Sequence, residues 1–117
     1  MTAQRLPDLL RHIRQAATDA CTFVAGMSKD AFLADKRTQQ AVVLSLVIVG
    51  EAVTRVLQEH AGFADRHPSV PWRSMKGMRN RLAHGYFDIN LDVAWDTVAI
   101  ELPRLLATLP DRDDAEP

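Results

Sequence analysis

The sequence predicts an all-α fold, an up-and-down bundle of four main helices plus one short helix. Three observations predict it. Apolar residues recur at spacings of three and four, as in Leu6, Leu9, Leu10, Ile13, Ala16, Ala17, Ala20 and Val24. Helix caps and breakers (Pro7, Gly26, Ser28, Asp35, Pro71, Gly85, Asn90) separate these runs, where strands would need alternation. The chain is 47% hydrophobic yet only 6% aromatic, a balance that suits helices better than a sheet. At 117 residues it makes one domain, placed at residues 1–109, close to the size where dimerisation helps. Residues 110–117 form an acidic, proline-flanked tail expected to be disordered.

The first helix opens near Leu6, takes Pro7 in its first turn and ends before Gly26. Ser28 caps a short helix from Lys29 to Ala34, and Asp35 caps a long one from Lys36 to Glu59. The middle of that long helix is apolar nearly all round, from Val42 to Val49. It should be the most buried rod, or lie between two protomers. Gly50 and Ser45 would let another helix approach closely. From His60 to Val70 the chain reads as irregular, anchored by Phe63. A helix from Pro71 to His84 follows, and then one capped by Asn90 with a Leu91, Ala94, Trp95, Val98, Leu102, Leu105 and Leu109 stripe. Pro103 interrupts this last helix and should kink it near Ala99.

Composition excludes several classes of function. The net charge of −1 gives no global attraction to nucleic acid, so any such binding needs a local patch. One cysteine, Cys21, permits no internal disulfide and reads as a buried small hydrophobe in a reduced compartment. His60 and His67 lack companions at metal-ligand spacing, and no Gly-rich phosphate loop is present, so neither metal nor cofactor is expected. The longest apolar stretch, Ala41 to Val49, is broken by Ser45 and is far short of the roughly 20 residues that span a bilayer. With no secretory leader pattern either, the expected location is the cytoplasm.

The local patch is the helix ending in Met78-Arg79-Asn80-Arg81-Leu82-Ala83-His84-Gly85-Tyr86. At about 100° per residue, Met75, Met78 and Leu82 share the core face, while Arg73, Lys76, Asn80 and Arg81 spread over the opposite arc. A solvated face is the bland reading of such charges. The sharper one is a cationic ledge whose His84 titrates near neutrality and whose Arg79 forks onto phosphate oxygens. Proton transfer beside an oriented cation suits cleavage of RNA by its own 2′-hydroxyl, with Arg73, Lys76 and Arg81 binding phosphates. Helical counting places Asn80 beneath His84 but turns Arg79 roughly 140° from it. A distorted last turn or a second copy of the helix would close that gap, and a second copy would also supply both an acid and a base. Glu51, just after the apolar run, has two readings: an ion pair with Arg55 one turn on, or a reach to the ledge that orients Arg79 or His84.

Arg79-x4-His84-x-Tyr86, with Pro71-Trp72-Arg73-x-Met75-x-Gly77-Met78 before it and Phe87 and Leu91–Trp95 after it, resembles the HepT-like branch of the HEPN superfamily. The resemblance extends from the first helix to about Leu109. It implies a homodimeric, metal-independent endoribonuclease that acts as a toxin beside a minimal nucleotidyltransferase antitoxin of the MntA type. It further implies Arg79 and His84 as the catalytic pair, Asn80 and Glu51 as supporting polar residues, and tRNA or mRNA as substrate. Tyr86 would be the hydroxyl that the partner modifies with AMP; alternatively its ring packs beside the helix end. Two other functions fit the same residues. One is a helical adaptor that binds a nucleotide or substrate for a nucleotidyltransferase without cutting anything, and the other is a structural dimer without a ligand.

Overall fold

The architecture, a computed structural model that describes residues 5–83 and 88–111, is all-α, with four main rods and short helices between them. In α1 (Leu6–Phe23) the residues Leu9, Leu10, Ile13, Ala16, Ala17 and Ala20 are buried, one stripe at the predicted spacing. The chain reverses at Gly26, whose φ of 78° is the left-handed conformation that glycine adopts without steric cost. Ser28 then caps α2 (Lys29–Leu33) by accepting the Ala31 amide at 3.1 Å. Asp35 caps α3 (Lys36–Glu59) by accepting the amide of Thr38 at 3.1 Å and its hydroxyl at 2.8 Å.

The helix α3 is the centre of the bundle, packed along α1 on one side and against α5 (Trp72–Leu82) on another. Its buried stripe is Val42, Ser45, Leu46, Val49, Gly50, Ala52, Val53 and Val56. The rest is not covered: Leu44 is 63% exposed and Ile48 40%. By length and composition alone α3 is apolar enough to cross a membrane, but 44% of its most apolar window is buried inside the protein.

Two segments differ from expectation. The stretch predicted as irregular contains a helix, α4 (Ala61–Arg66). Burial of Phe63 and Ala64 stabilises it, and the Phe63 ring stacks on His67 with centroids 4.3 Å apart. His67 is engaged further: its Nδ1 lies 3.0 Å from the Phe63 carbonyl, and its own carbonyl accepts the Trp72 indole N–H at 3.1 Å. The last rod is distorted over the turn before Pro103: α6 (Leu91–Asp96) passes into a π segment, Thr97–Glu101, and then α7 (Leu102–Thr108). The Leu102 amide bonds the Thr97 carbonyl, five residues back. In that register the Val98 carbonyl would receive the amide of residue 103, which proline lacks. The thiol of half-buried Cys21 points at it instead, Sγ to oxygen 3.9 Å, and burial pushes the pKa of that thiol up. The chain is tied back at its end by Arg14, which donates to the Leu109 carbonyl at 2.8 Å. Most of the acidic tail, residues 112–117, lies outside the described residues.

Candidate functional site

The cationic ledge is built on α5. Trp72, Met75, Met78 and Leu82 are buried, which turns Arg73, Lys76, Arg79, Asn80 and Arg81 outward, all exposed. Arg79 and Arg81 occupy the last turn, where the partial negative charge of the helix end favours cations.

The helix stops earlier than predicted. It ends at Leu82, and Ala83 is extended, with φ −148° and ψ 136°. The Leu82 carbonyl accepts the Asn90 amide at 2.7 Å, and Ala83 pairs with Ile89 in an antiparallel bridge. Those cross-links draw the chain out of helical geometry two residues before Gly85. The 140° separation of Arg79 from His84 therefore has no basis, and neither has the i,i+4 pairing of Asn80 with His84. Both assumed a helix running through His84. The side chains of His84 and Tyr86 fall outside the described residues, as do Gly85 and Phe87; what is described is the paired stem, Ala83 and Ile89, on which that segment is mounted.

The position of Arg79 is set from α3. A Cβ at Gly50 would lie 2.8 Å from the Arg79 Cβ, 3.2 Å from its Cδ and 3.3 Å from its Cγ. Only a residue without a side chain lets the stem of Arg79 lie across the helix there. The guanidinium then reaches the next residue of α3, with Nη2 at 2.6 Å from Glu51 Oε1. Of the two readings of Glu51, the structure shows the longer reach. Arg55 turns the other way and pairs with Glu59 at 3.7 Å. The Glu51 side chain is 52% exposed and that of Arg79 45%. A pair so open to water adds little stability. Its effect is geometric, since it aims a five-donor planar group while leaving donors free for another acceptor.

The arrangement can thus hold an anion against an oriented guanidinium at a helix end, with Arg73, Lys76 and Arg81 as further cations on the same rod. Sequence reasoning did not find the Gly50–Arg79 contact, although Gly50-Glu51-Ala52 was its visible trace. Among the described residues no group of three or more His, Cys, Asp or Glu side chains is placed to hold a metal ion.

Comparison with known proteins gives the family. Residues 13–111 match the family described as Ribonuclease HepT-like. A protein of Methanocaldococcus jannaschii named as a candidate RNase is 39% identical over 98 residues, 84% of this chain and 75% of its own. The "Probable ribonuclease HepT" of Thermococcus cleftensis is 38% identical over 98 residues, covering 84% of this chain and 86% of its own. A third candidate RNase, from Caldanaerobacter subterraneus, is 38% identical over 96 residues, 82% and 83% of the two chains. No solved structure matches the chain.

Proposed function

Since the chain belongs to the HepT-like ribonuclease family, we propose that it is a metal-independent endoribonuclease, the toxin of a pair with a minimal nucleotidyltransferase antitoxin of the MntA type. The observation that carries this reading is the Arg79 guanidinium, laid across Gly50, anchored on Glu51 and still half-open to a second acceptor.

In this reading a phosphodiester of tRNA or mRNA lies along α5, its charge met by Arg73, Lys76 and Arg81. Arg79 holds the non-bridging oxygens as the phosphorane forms. One His84 removes the 2′-hydroxyl proton while a second protonates the leaving 5′ oxygen. The O–P bond to the 2′ oxygen forms as the bond to the 5′ oxygen breaks, leaving a 2′,3′-cyclic phosphate and a free 5′-hydroxyl. Acid and base are two jobs and the motif offers one histidine per chain, so two copies related by a two-fold axis complete the cleft. Asn80, exposed one residue after Arg79, supplies an additional hydrogen-bonding group. Tyr86, two residues beyond His84, is the hydroxyl on which the partner places AMP, adding bulk and negative charge where phosphate must enter.

The test is cleavage of purified tRNA and mRNA with chelator present. Wild type should yield 2′,3′-cyclic phosphate ends, while His84→Ala and Arg79→Ala should yield none and keep the wild-type circular dichroism. His84→Ala cutting as fast as wild type would refute the assignment. RNA that is bound but never cut would favour the adaptor reading.

A further inference from the structure

The ledge leaves one cavity beside it unused. Between α3 and the segment that opens α6 lies a groove of about 470 Å³, within the range of about 300–1,000 Å³ usual for small-ligand sites. Its walls are mostly apolar, with Val43 and Val47 on one side and Ile89 on the other. Its polar groups come from the first turns of α3, where Lys36, Gln39 and Gln40 line it. Two features tie the groove to the ledge. Val43, Val47 and Gly50 follow one another at spacings of four and three, along one side of α3. The groove thus stops about 5 Å along the helix axis from the glycine that carries the stem of Arg79. On the other wall, Ile89 is bridged to Ala83, the residue before His84. A strand held at one phosphate by Arg79 has this groove within reach of an adjoining base.

Gln39 gives the groove a chemical preference. Its Nε2 donates to the Phe32 carbonyl at 2.9 Å and to the Leu33 carbonyl at 3.0 Å, tying down the end of α2. Two acceptors there fix which end of the amide is nitrogen and use both of its hydrogens. What Gln39 can still offer a ligand is its carbonyl oxygen, an acceptor only. Adenine and cytosine carry an exocyclic amine where guanine and uracil carry a keto oxygen. The amine donates to Gln39 Oε1, whereas the keto oxygen would meet it lone pair to lone pair. We propose that the groove is a base-recognition subsite: it takes the nucleobase next to the cleaved phosphodiester and favours the amino bases, adenine and cytosine, through Gln39. The valine and isoleucine walls cover the faces of the base. Gln40, exposed one residue on, has a donor for the ring nitrogen beside the amine, and Lys36, also exposed, has a charge for the next phosphate. Single-stranded RNA is commonly read this way, by splayed bases hydrogen-bonded along their edges. The substrate of this subsite rests on the nuclease reading above; its selectivity rests on the groove and the spent amide.

Cleavage of a randomised RNA by the full chain, with the new ends sequenced, reads the preference directly. Wild type should favour adenine and cytosine at one position flanking the cut by about tenfold, the discrimination that one good base contact supplies. Hypoxanthine in place of adenine at that position, a keto oxygen for the amine, should remove the advantage. Val43→Phe fills the groove and leaves the Gln39 bonds alone, while Gln39→Leu removes the acceptor; both should cut without base preference. Gln39→Leu also releases the end of α2, so its circular dichroism is checked, and Val43→Phe decides the matter if that fold is lost. Binding of oligonucleotides that differ in this one base to His84→Ala chains, followed by fluorescence anisotropy, should show the same order with no cutting involved. Cutting that ignores base identity, that favours guanine and uracil, or that keeps its bias in Val43→Phe overturns the subsite and leaves the nuclease reading standing. Base-selective binding by a wild type that never cuts RNA does the reverse.

Discussion

Glycine at position 50 and arginine at position 79 constrain each other through van der Waals distance rather than through charge. The atom nearest a Gly50 Cβ is the Arg79 Cβ, at 2.8 Å, and a Cβ moves only with its backbone. Gly50→Ala therefore displaces α5 as a body. Overpacking of this kind costs about 1–3 kcal/mol. If Arg79 acts on the phosphate, a shift of the guanidinium by about 1 Å lowers cleavage roughly a hundredfold. Glu51→Gln separates position from stability. It removes an exposed charge pair, which alters unfolding by less than about 1 kcal/mol. Its thermal midpoint should stay near wild type while RNA cleavage falls; a variant that cuts like wild type would reduce Glu51–Arg79 to an ordinary surface ion pair. The sequence left Glu51 two partners, Arg55 or the ledge that carries Arg79, for a simple reason. A helix-spaced neighbour such as Arg55 can be counted along the chain, whereas contact with Arg79 depends on how two helices cross. Gly50 was the legible sign that something crosses there.

Helix starts in this chain are written locally, and their ends are not. Ser28, Asp35 and Asn90 each accept an amide three residues on, as their types and positions predicted. Asp35 also gives an acid-side prediction. The backbone amide of Thr38, then its hydroxyl, hold the Asp35 carboxyl below the usual carboxylate range, against a smaller opposing desolvation. A carboxyl whose pKa is lower when folded contributes stability that is complete above its unfolded pKa, near 4. That contribution is lost as pH falls through the lowered folded value. Asp35→Asn should keep the cap and flatten this part of the acid-side decline in thermal midpoint, and Asp35→Ala should lose stability at neutral pH as well. An Asp35→Asn profile parallel to wild type would assign the acid sensitivity elsewhere. The end of α5 was misjudged because Gly85 looked like a helix terminator, whereas the Asn90 amide and the Ala83–Ile89 bridge end the helix from outside it. Likewise α4 arises from burial of Phe63 and Ala64, a tertiary gain that breakers nearby in sequence conceal. Pro103 announced a distortion around Ala99, and a π segment lies there, with Cys21 beside the carbonyl left over.

At the scale of the molecule, α3 is divided between two duties. One face closes the bundle, and the other, with Leu44 and Ile48 exposed, remains apolar in water. The amino-acid pattern announced an unusually apolar rod and allowed either burial or a place between protomers; the structure buries one stripe of it and leaves Leu44 and Ile48 exposed. If two chains build one cleft and each gives one of two required imidazoles, activity belongs to the pair. Wild-type chains mixed with a large excess of His84→Ala chains, given time to exchange, should then lose nearly all cleavage, because almost every wild-type chain ends in a mixed dimer with acid or base missing. The same excess of His84→Ala chains, added without time to exchange, should leave wild-type activity nearly untouched, since no mixed pair has formed. Dilution is thereby excluded as the cause, and RNA sequestration by the inactive chain is controlled for, because the same inactive chain with its α5 cations is present in both mixtures. Undiminished cleavage in the first mixture would mean that each protomer cuts alone, with acid and base both drawn from within one chain.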